Sequence, residues 1–308
     1  MRFDGIHHVT CITADAPRNV DFYTRVLGLR LVKKTVNQDD PTVYHLFYAD
    51  EAGSPGSDIT FFEYPGVRLG RAGAGMVHIV EWRVGTEAAL DFWERRLADL
   101  ASGVARDEHG VAFDDPEGLR HRLVVSSVDD APLVAEHPEI PPDHALQGFD
   151  GVRAYATLPD ASRSTLEEAL GFTSVGADTW EARGPTRGGR YAYDAPPADR
   201  GLGGAGTVHH IAWSSSLEEH ADWHARALGA GLQPSPIIDR FWFRSIYFRE
   251  PSGVLFEIAT AGPGFSIDED TGALGERLIL PPAFEALRDR IEPVLTPLPD
   301  PRPWLKTA

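Results

Sequence analysis

Apolar residues recur along this chain in two alternating rhythms. In segments 20–28, 90–97 and 221–229 they fall at helical spacing, as Val20, Tyr23, Val26 and Leu27 do in the first. The three segments read as copies, with Asp21-Phe22-Tyr23, Asp91-Phe92-Trp93 and Asp222-Trp223-His224 at matching places. After the first copy, residues 29–36, 44–48 and 59–64 are rich in β-branched and aromatic side chains and predict three strands. A strand-like run also precedes each helix, so the repeating unit is β-α-β-β-β. A weaker copy opens at residues 151–157 and continues through a helical stretch at 164–170. Four such modules fill the chain and predict an α+β fold.

Between the second and third modules, Pro132, Pro138, Pro141 and Pro142 stand among acidic and polar residues, a pattern that disfavours helix and sheet alike. Residues 131–147 are therefore expected to be a linker. It separates a first domain at 1–130, carrying modules one and two, from a second at 148–308, carrying modules three and four. The tail from residue 261 starts Gly262-Pro263-Gly264 and predicts one helix near 284–291 before a Pro-rich end.

Composition narrows the function classes. With 308 residues and 42% hydrophobic content the chain can build two cores. A formal net charge of -17 argues against a nucleic-acid or anionic-membrane surface, which would want clustered Lys and Arg. The single cysteine, Cys11, excludes an internal disulfide and a thiolate zinc cage, and its apolar strand suggests a core thiol. Met1 to Asp4 show no signal-peptide core, so the expected location is the cytoplasm, and a homo-oligomer is compatible with this composition.

The chemistry lies in two His-His pairs on matched strands, His7-His8 and His209-His210. Adjacent strand residues face opposite sides, so one imidazole of each pair is expected to face a cavity and the other elsewhere. His8, His78 and His210 sit at nearly equal distances ahead of their repeated helices. Four residues after Gly253 stands Glu257, whereas four after Gly118 stands Arg122, a cation that would repel a metal. Module two thus reads as vacated and His78 as structural. His8, His210 and Glu257 form the expected metal site, with modules one and four sharing a cavity and modules two and three pairing elsewhere. Burying Glu257 unpaired between Phe256 and Ile258 would be costly, and metal ligation removes that cost. Two imidazoles and one carboxylate leave three open positions, the set expected for non-haem Fe(II), with Mn(II) as the alternative.

Other motifs carry less. Gly201-Leu202-Gly203-Gly204-Ala205-Gly206 matches a dinucleotide fingerprint but precedes a strand instead of opening a helix, so it reads as a loop. His220 and His224 have helical metal-ligand spacing, yet the repeat aligns His224 with Tyr23 and Trp93 as a core position. Glu63 is a candidate fourth ligand that falls on the other parity from Thr60. One of Phe241, Trp242 and Phe243 could line an aromatic-substrate pocket.

Ile6-His7-His8-Val9-Thr10, Tyr44-His45-Leu46-Phe47-Tyr48 through Gly56, Val208-His209-His210, and Asp239-Arg240 through Tyr247 to Glu257 resemble the vicinal-oxygen-chelate superfamily. That superfamily contains glyoxalases, bleomycin-resistance proteins and extradiol dioxygenases. Within it, the chain most resembles the ring-cleaving dioxygenases that act on hydroquinones. The resemblance implies two glyoxalase-like domains and metal ligation by His8, His210 and Glu257. It implies supporting or catalytic roles for His7, Thr10, His209, Arg240 and Tyr247, and opening of an aromatic diol by O2. The catechol-type enzymes take their first histidine from the third module, where Val152 and Arg153 stand near that place. Two other readings are a metal-dependent isomerase or lyase of the glyoxalase type, which needs a fourth protein ligand, and a protein that binds an aromatic antibiotic without turnover.

Overall fold

The computed structural model describes residues 1–306. Module one runs β1 (Ile6–Thr13), α1 (Ala16–Asp21), β2 (Arg30–Val36), β3 (Tyr44–Ala49) and β4 (Asp58–Glu63). Module two is β5 (Val77–Val84), α2 (Glu87–Leu97), β6 (Ser102–Asp107), β7 (Gly110–Asp114) and β8 (Arg120–Val125). Module three is β9 (Phe149–Tyr155), α3 (Asp160–Ser164), β10 (Thr173–Gly176), β11 (Thr179–Arg183) and β12 (Gly188–Asp194). Module four is β13 (Thr207–Ser215), α4 (His220–Gly229), β14 (Ile238–Asp239), β15 (Arg244–Arg249) and β16 (Leu255–Thr260). Asp15 caps α1 through Arg18 N at 3.1 Å, and Thr86 caps α2 through Ala89 N at 3.2 Å. Among the described residues the tail carries short turns and α5 (Arg288–Ile291), inside the stretch where a helix was expected. Among the described residues no helix is long and apolar enough to cross a membrane.

The strands form two eight-stranded sheets, ordered β14-β15-β16-β13-β1-β4-β3-β2 and β10-β11-β12-β9-β5-β8-β7-β6. Modules one and four thus share the first sheet through the antiparallel pair β1 and β13, and modules two and three share the second through β5 and β9. Both sheets draw on both sides of the 131–147 segment. That segment is itself tied down, since Arg187 donates to Ala131 O at 2.9 Å and to Gln147 O at 2.6 Å.

Strand alternation sorts the first sheet into two faces. Val9, Cys11, Phe61, Ile211, Trp213, Phe256 and Ile258 are wholly buried in a core continuous with that of the second sheet. Cys11 is therefore a core thiol, and burial pushes its pKa well up. Tyr23 ties the two sheets together, with its hydroxyl 3.1 Å from Asp115 Oδ2 and 3.0 Å from His121 Nε2. The opposite face of the first sheet carries His8, Thr10, Thr60, His210 and Glu257.

Candidate metal centre

Each half of the β1/β13 pair contains a β-bulge. Ile6 pairs with Trp213 and His8 with Ala212, so His7 is the extra residue. Thr10 pairs with His210 and Cys11 with Val208, so His209 is the extra residue on the other strand. The bulges overturn the expectation that the two imidazoles of each pair face opposite ways. His7 Nδ1 lies 2.9 Å from His8 Nδ1, and His209 Nδ1 lies 2.8 Å from His210 Nδ1. His7 Nε2 is 3.0 Å from Thr260 O, an acceptor only, so His7 carries its hydrogen there and its Nδ1 accepts from His8. Burial, reinforced by His8, lowers the His7 pKa to about 3 and keeps that ring neutral. With its Nδ1 hydrogen directed at His7, the uncharged form of His8 that ligates a metal would present a bare Nε2.

His8 Nε2, His210 Nε2 and Glu257 Oε2 converge. The nitrogens are 3.3 Å apart, and the carboxylate oxygen lies 3.2 Å from His8 and 2.8 Å from His210. Bonds of about 2.1 Å at right angles put neighbouring ligands about 3 Å apart, so three such edges describe one face of an octahedron. Ser245 Oγ donates to Glu257 Oε1 at 2.6 Å and leaves Oε2 facing the imidazoles. Oε2 is fully buried and neither imidazole contact has hydrogen-bond geometry. Burial alone would raise the Glu257 pKa, but His8 and His210 hold it well below the ordinary carboxylate value. An orphaned buried carboxylate oxygen beside a bare imidazole nitrogen fits a divalent cation. Among the described residues this is the one group of three or more His, Cys, Asp or Glu side chains so disposed.

Above the triad opens a small cavity that reaches Asn37, Gln38 and Asp39 at its far side. Phe47 and Phe62 from module one wall it on one part, and Trp242 and Phe243 from module four on another. All four are aromatic, so the pocket draws on more of the 241–243 cluster than the single member expected. Phe241 adopts a left-handed φ of 72°, with its N–H donating to Asp239 Oδ1 at 2.8 Å, at the turn preceding these two rings. Tyr247 and Arg240 also line the cavity, the guanidinium 5.7 Å from the Tyr247 ring centroid. Arg240 pairs with Asp39 at 3.1 Å across the mouth, and Gln38 donates to Arg240 O at 2.8 Å. Burial, then Glu257, raises the Tyr247 pKa. His7, Thr10 and His209 are not among the residues lining the cavity; the two histidines stand behind His8 and His210, which they contact.

The remaining candidates separate cleanly. Glu63 turns to the far face, accepting from Ala16 N at 3.3 Å and Thr296 Oγ1 at 2.8 Å. His220 contacts Ser215 Oγ at 3.1 Å, and His224 contacts Ser235 O at 3.1 Å, so they do not converge. His224 is half-buried, and its neighbour Trp223 takes the core position instead. Residues 201–206 are a loop bridged to Leu69 and Arg71. His78 needs a correction of register. It is the bulged residue of β5, as Asp150 is of β9, so it corresponds to His7 and His209 and not to His8. Ile79 and Gly151 stand at the ligand places, and β8 aligns Arg122 with Glu81 as β16 aligns Glu257 with Ala212. His78 itself stacks on Tyr155 and lies 2.8 Å from Asp194 Oδ2, a structural role.

Residues 5–123 match the family described as the Glyoxalase/Bleomycin resistance protein/Dioxygenase superfamily. The chain is 40% identical over 302 residues to a Bacillus subtilis (strain 168) protein named "Putative ring-cleaving dioxygenase MhqO", covering 95% of this chain and 96% of that one. It is 31% identical over 310 residues to the "Chlorohydroquinone/hydroquinone 1,2-dioxygenase" of Sphingobium indicum, covering 94% and 95%. A crystal structure described as a "putative dioxygenase" from Bacillus subtilis superposes with a TM-score of 0.89 at 39% identity, covering 97% of this chain and 98% of that one. On sequence, fold and the twofold-related modules together, the chain belongs to the glyoxalase/bleomycin resistance protein/dioxygenase superfamily, within its ring-cleaving dioxygenase branch.

Proposed function

We propose that the protein is an Fe(II)-dependent dioxygenase that opens the ring of a hydroquinone-type diol with O2. The observation that carries this is the facial set of His8, His210 and Glu257, with its orphaned Oε2, at the base of an aromatic-walled cavity. Fe(II), or Mn(II), held there would supply the one-electron chemistry that lets O2 react with a closed-shell ring. The chain does the rest. Phe47, Phe62, Trp242 and Phe243 hold a flat ring and exclude water. Tyr247 and Arg240 place a hydroxyl and a cation beside the ring oxygens, where a proton can be held and negative charge met. His7 and His209 fix the rings of the two ligand histidines.

The isomerase or lyase reading needs a fourth protein ligand. Thr60 occupies the place that Glu257 takes in module four, so that ligand is missing among the described residues. The test is anaerobic purification with metal analysis, followed by oxygen-electrode assays on a panel of hydroquinones. Iron-dependent O2 uptake with a ring-opened product is expected. Metal-independent binding of aromatic compounds with no O2 uptake would sink the proposal and favour a sequestering protein.

A further inference from the structure

The twofold relation between β1 and β13 is centred on the pair Val9 and Ile211, and it matches Thr60 to Glu257 and Phe47 to Tyr247. Two residues before Phe47 and Tyr247 stand His45 and Ser245, so these two are counterparts as well. In module four Ser245 hydrogen-bonds the ligand Glu257 at 2.6 Å. In module one the same two places hold His45 and Thr60, with His45 Nε2 2.8 Å from Thr60 Oγ1. Thr60 Oγ1 is also 2.8 Å from Thr10 Oγ1. The corner that binds metal on one side of the axis has become a hydrogen-bonded chain on the other.

The direction of that chain follows from satisfying every buried hydrogen. Thr10 and Thr60 are wholly buried, and Thr10 Oγ1 has Thr60 as its one side-chain partner among the described residues. If His45 donated to Thr60 and Thr60 to Thr10, the Thr10 hydrogen would be buried with no acceptor, which is costly. In the opposite direction Thr10 donates to Thr60, Thr60 donates to His45 Nε2, and neither hydroxyl hydrogen is orphaned. Burial, then His8 and His210, push the His45 pKa well down, so the ring is neutral. Its hydrogen is therefore on Nδ1. That nitrogen has no partner among the described residues, and the ring lines the cavity.

We propose that His45 is a substrate-contacting, specificity-determining residue whose Nδ1–H donates to the diol oxygen lying away from the His8, His210 and Glu257 triad. The assignment rests on the ring-opening reading of the cavity and adds the group that selects a diol over a monophenol. His45 is held between Phe47 and Phe62, at centroid distances of 4.0 and 4.3 Å, so donor and aromatic wall are one rigid unit. A donor fixed in advance gains most from a ligand that presents an acceptor to it and leaves a buried hydrogen unpaired when the ligand lacks one.

Two measurements test this without turnover. Long-range proton–nitrogen spectra of the histidine rings should assign His45 as the Nδ1–H tautomer, with Thr10→Val and Thr60→Val both shifting its Nε2 signal. An Nε2–H tautomer, or a signal indifferent to Thr10→Val, overturns the chain. Anaerobic titrations of the metal-loaded protein with hydroquinone and with phenol should give tighter hydroquinone binding by roughly tenfold or more. His45→Phe should abolish that preference while phenol affinity and metal content stay as they were, and His45→Gln should restore part of it. An undiminished preference in both variants removes His45 from recognition. Failure of the ring-opening reading would look different: the wild type would bind hydroquinone selectively yet consume no O2.

Discussion

Glu257 is a buried carboxylate whose environment favours a nearby cation. It is wholly buried, one oxygen is fixed by Ser245, and the other has only imidazole nitrogens around it. Glu257→Ala is therefore expected to lower bound metal, measured by elemental analysis of the purified variant, as well as activity. Full metal retention would count against its role as a ligand. His209 and Tyr247 part company in the same way of reasoning. Tyr247 faces the cavity, so Tyr247→Phe should lower kcat by roughly 10²-fold at unchanged metal content. His209 faces the back of His210, so His209→Phe should weaken metal binding by roughly 10-fold or more, read as a competition against a chelator. At this scale the sequence was informative where chemistry marks a residue: two imidazoles and a carboxylate on matched strands announce themselves. His45 stood in a resembling segment and Thr60 served only to set the parity of Glu63, because a half-buried histidine and a threonine carry no signal until register matches them to Ser245 and Glu257.

Among elements, the modules were legible from the repeated helices and the strands that follow them, including the association of one with four. The bulges were not. A bulge is a backbone displacement of one residue, and His-His on a strand reads as two opposite faces until the pairing is known. That one-residue slip also misaligned His78 with His8. A second element-scale feature is the tail strap. Lys33 of β2 is wholly buried, bonded to Glu269 and, at 2.8 Å, to Asp268, whose other oxygen accepts from Trp242 Nε1 at 2.9 Å. Trp242 is a cavity wall, so the strap ties the tail to the pocket. Lys33→Met leaves Glu269 buried without its cation and should destabilise the fold by about 3 to 5 kcal/mol in urea unfolding. It should also raise KM for the aromatic substrate more than it lowers kcat. Wild-type stability in this variant would contradict the reading of the strap.

For the whole molecule, the contact between the sheets is one source of acid sensitivity. His121 sits in it, accepting from Trp82 Nε1 at 3.1 Å and contacting the Tyr23 hydroxyl, and burial lowers its pKa to about 3. The unfolded chain takes up that proton near pH 6.5, so the unfolded state binds more protons between about 6.5 and 3, and stability falls as pH drops through that window. Asp115 opposes this between 3.8 and about 6, because burial raises its pKa and the folded state there holds the extra proton. The His121 shift is the larger of the two, so this pair contributes a net loss on acidification. Melting temperatures of the metal-free protein between pH 7 and 4 would check it, and a His121→Phe variant should show a shallower slope. An equal slope would place the acid-sensitive group elsewhere.

The bulges at His78 and Asp150 have no ligand beside them, yet they repeat in the second sheet the same displacement that His7 and His209 make in the first. A backbone feature present where no metal is bound does not depend on a metal for its shape. On the proposed metal site the cradle is expected to be preorganised: folding would fix the vectors of His8, His210 and Glu257 before an ion arrives, and binding would spend little of its free energy on ordering the chain. Such a centre is expected to load and lose its ion reversibly without unfolding. Its selectivity then rests on how closely an ion suits three edges of fixed length, with no part played by the chain closing around it.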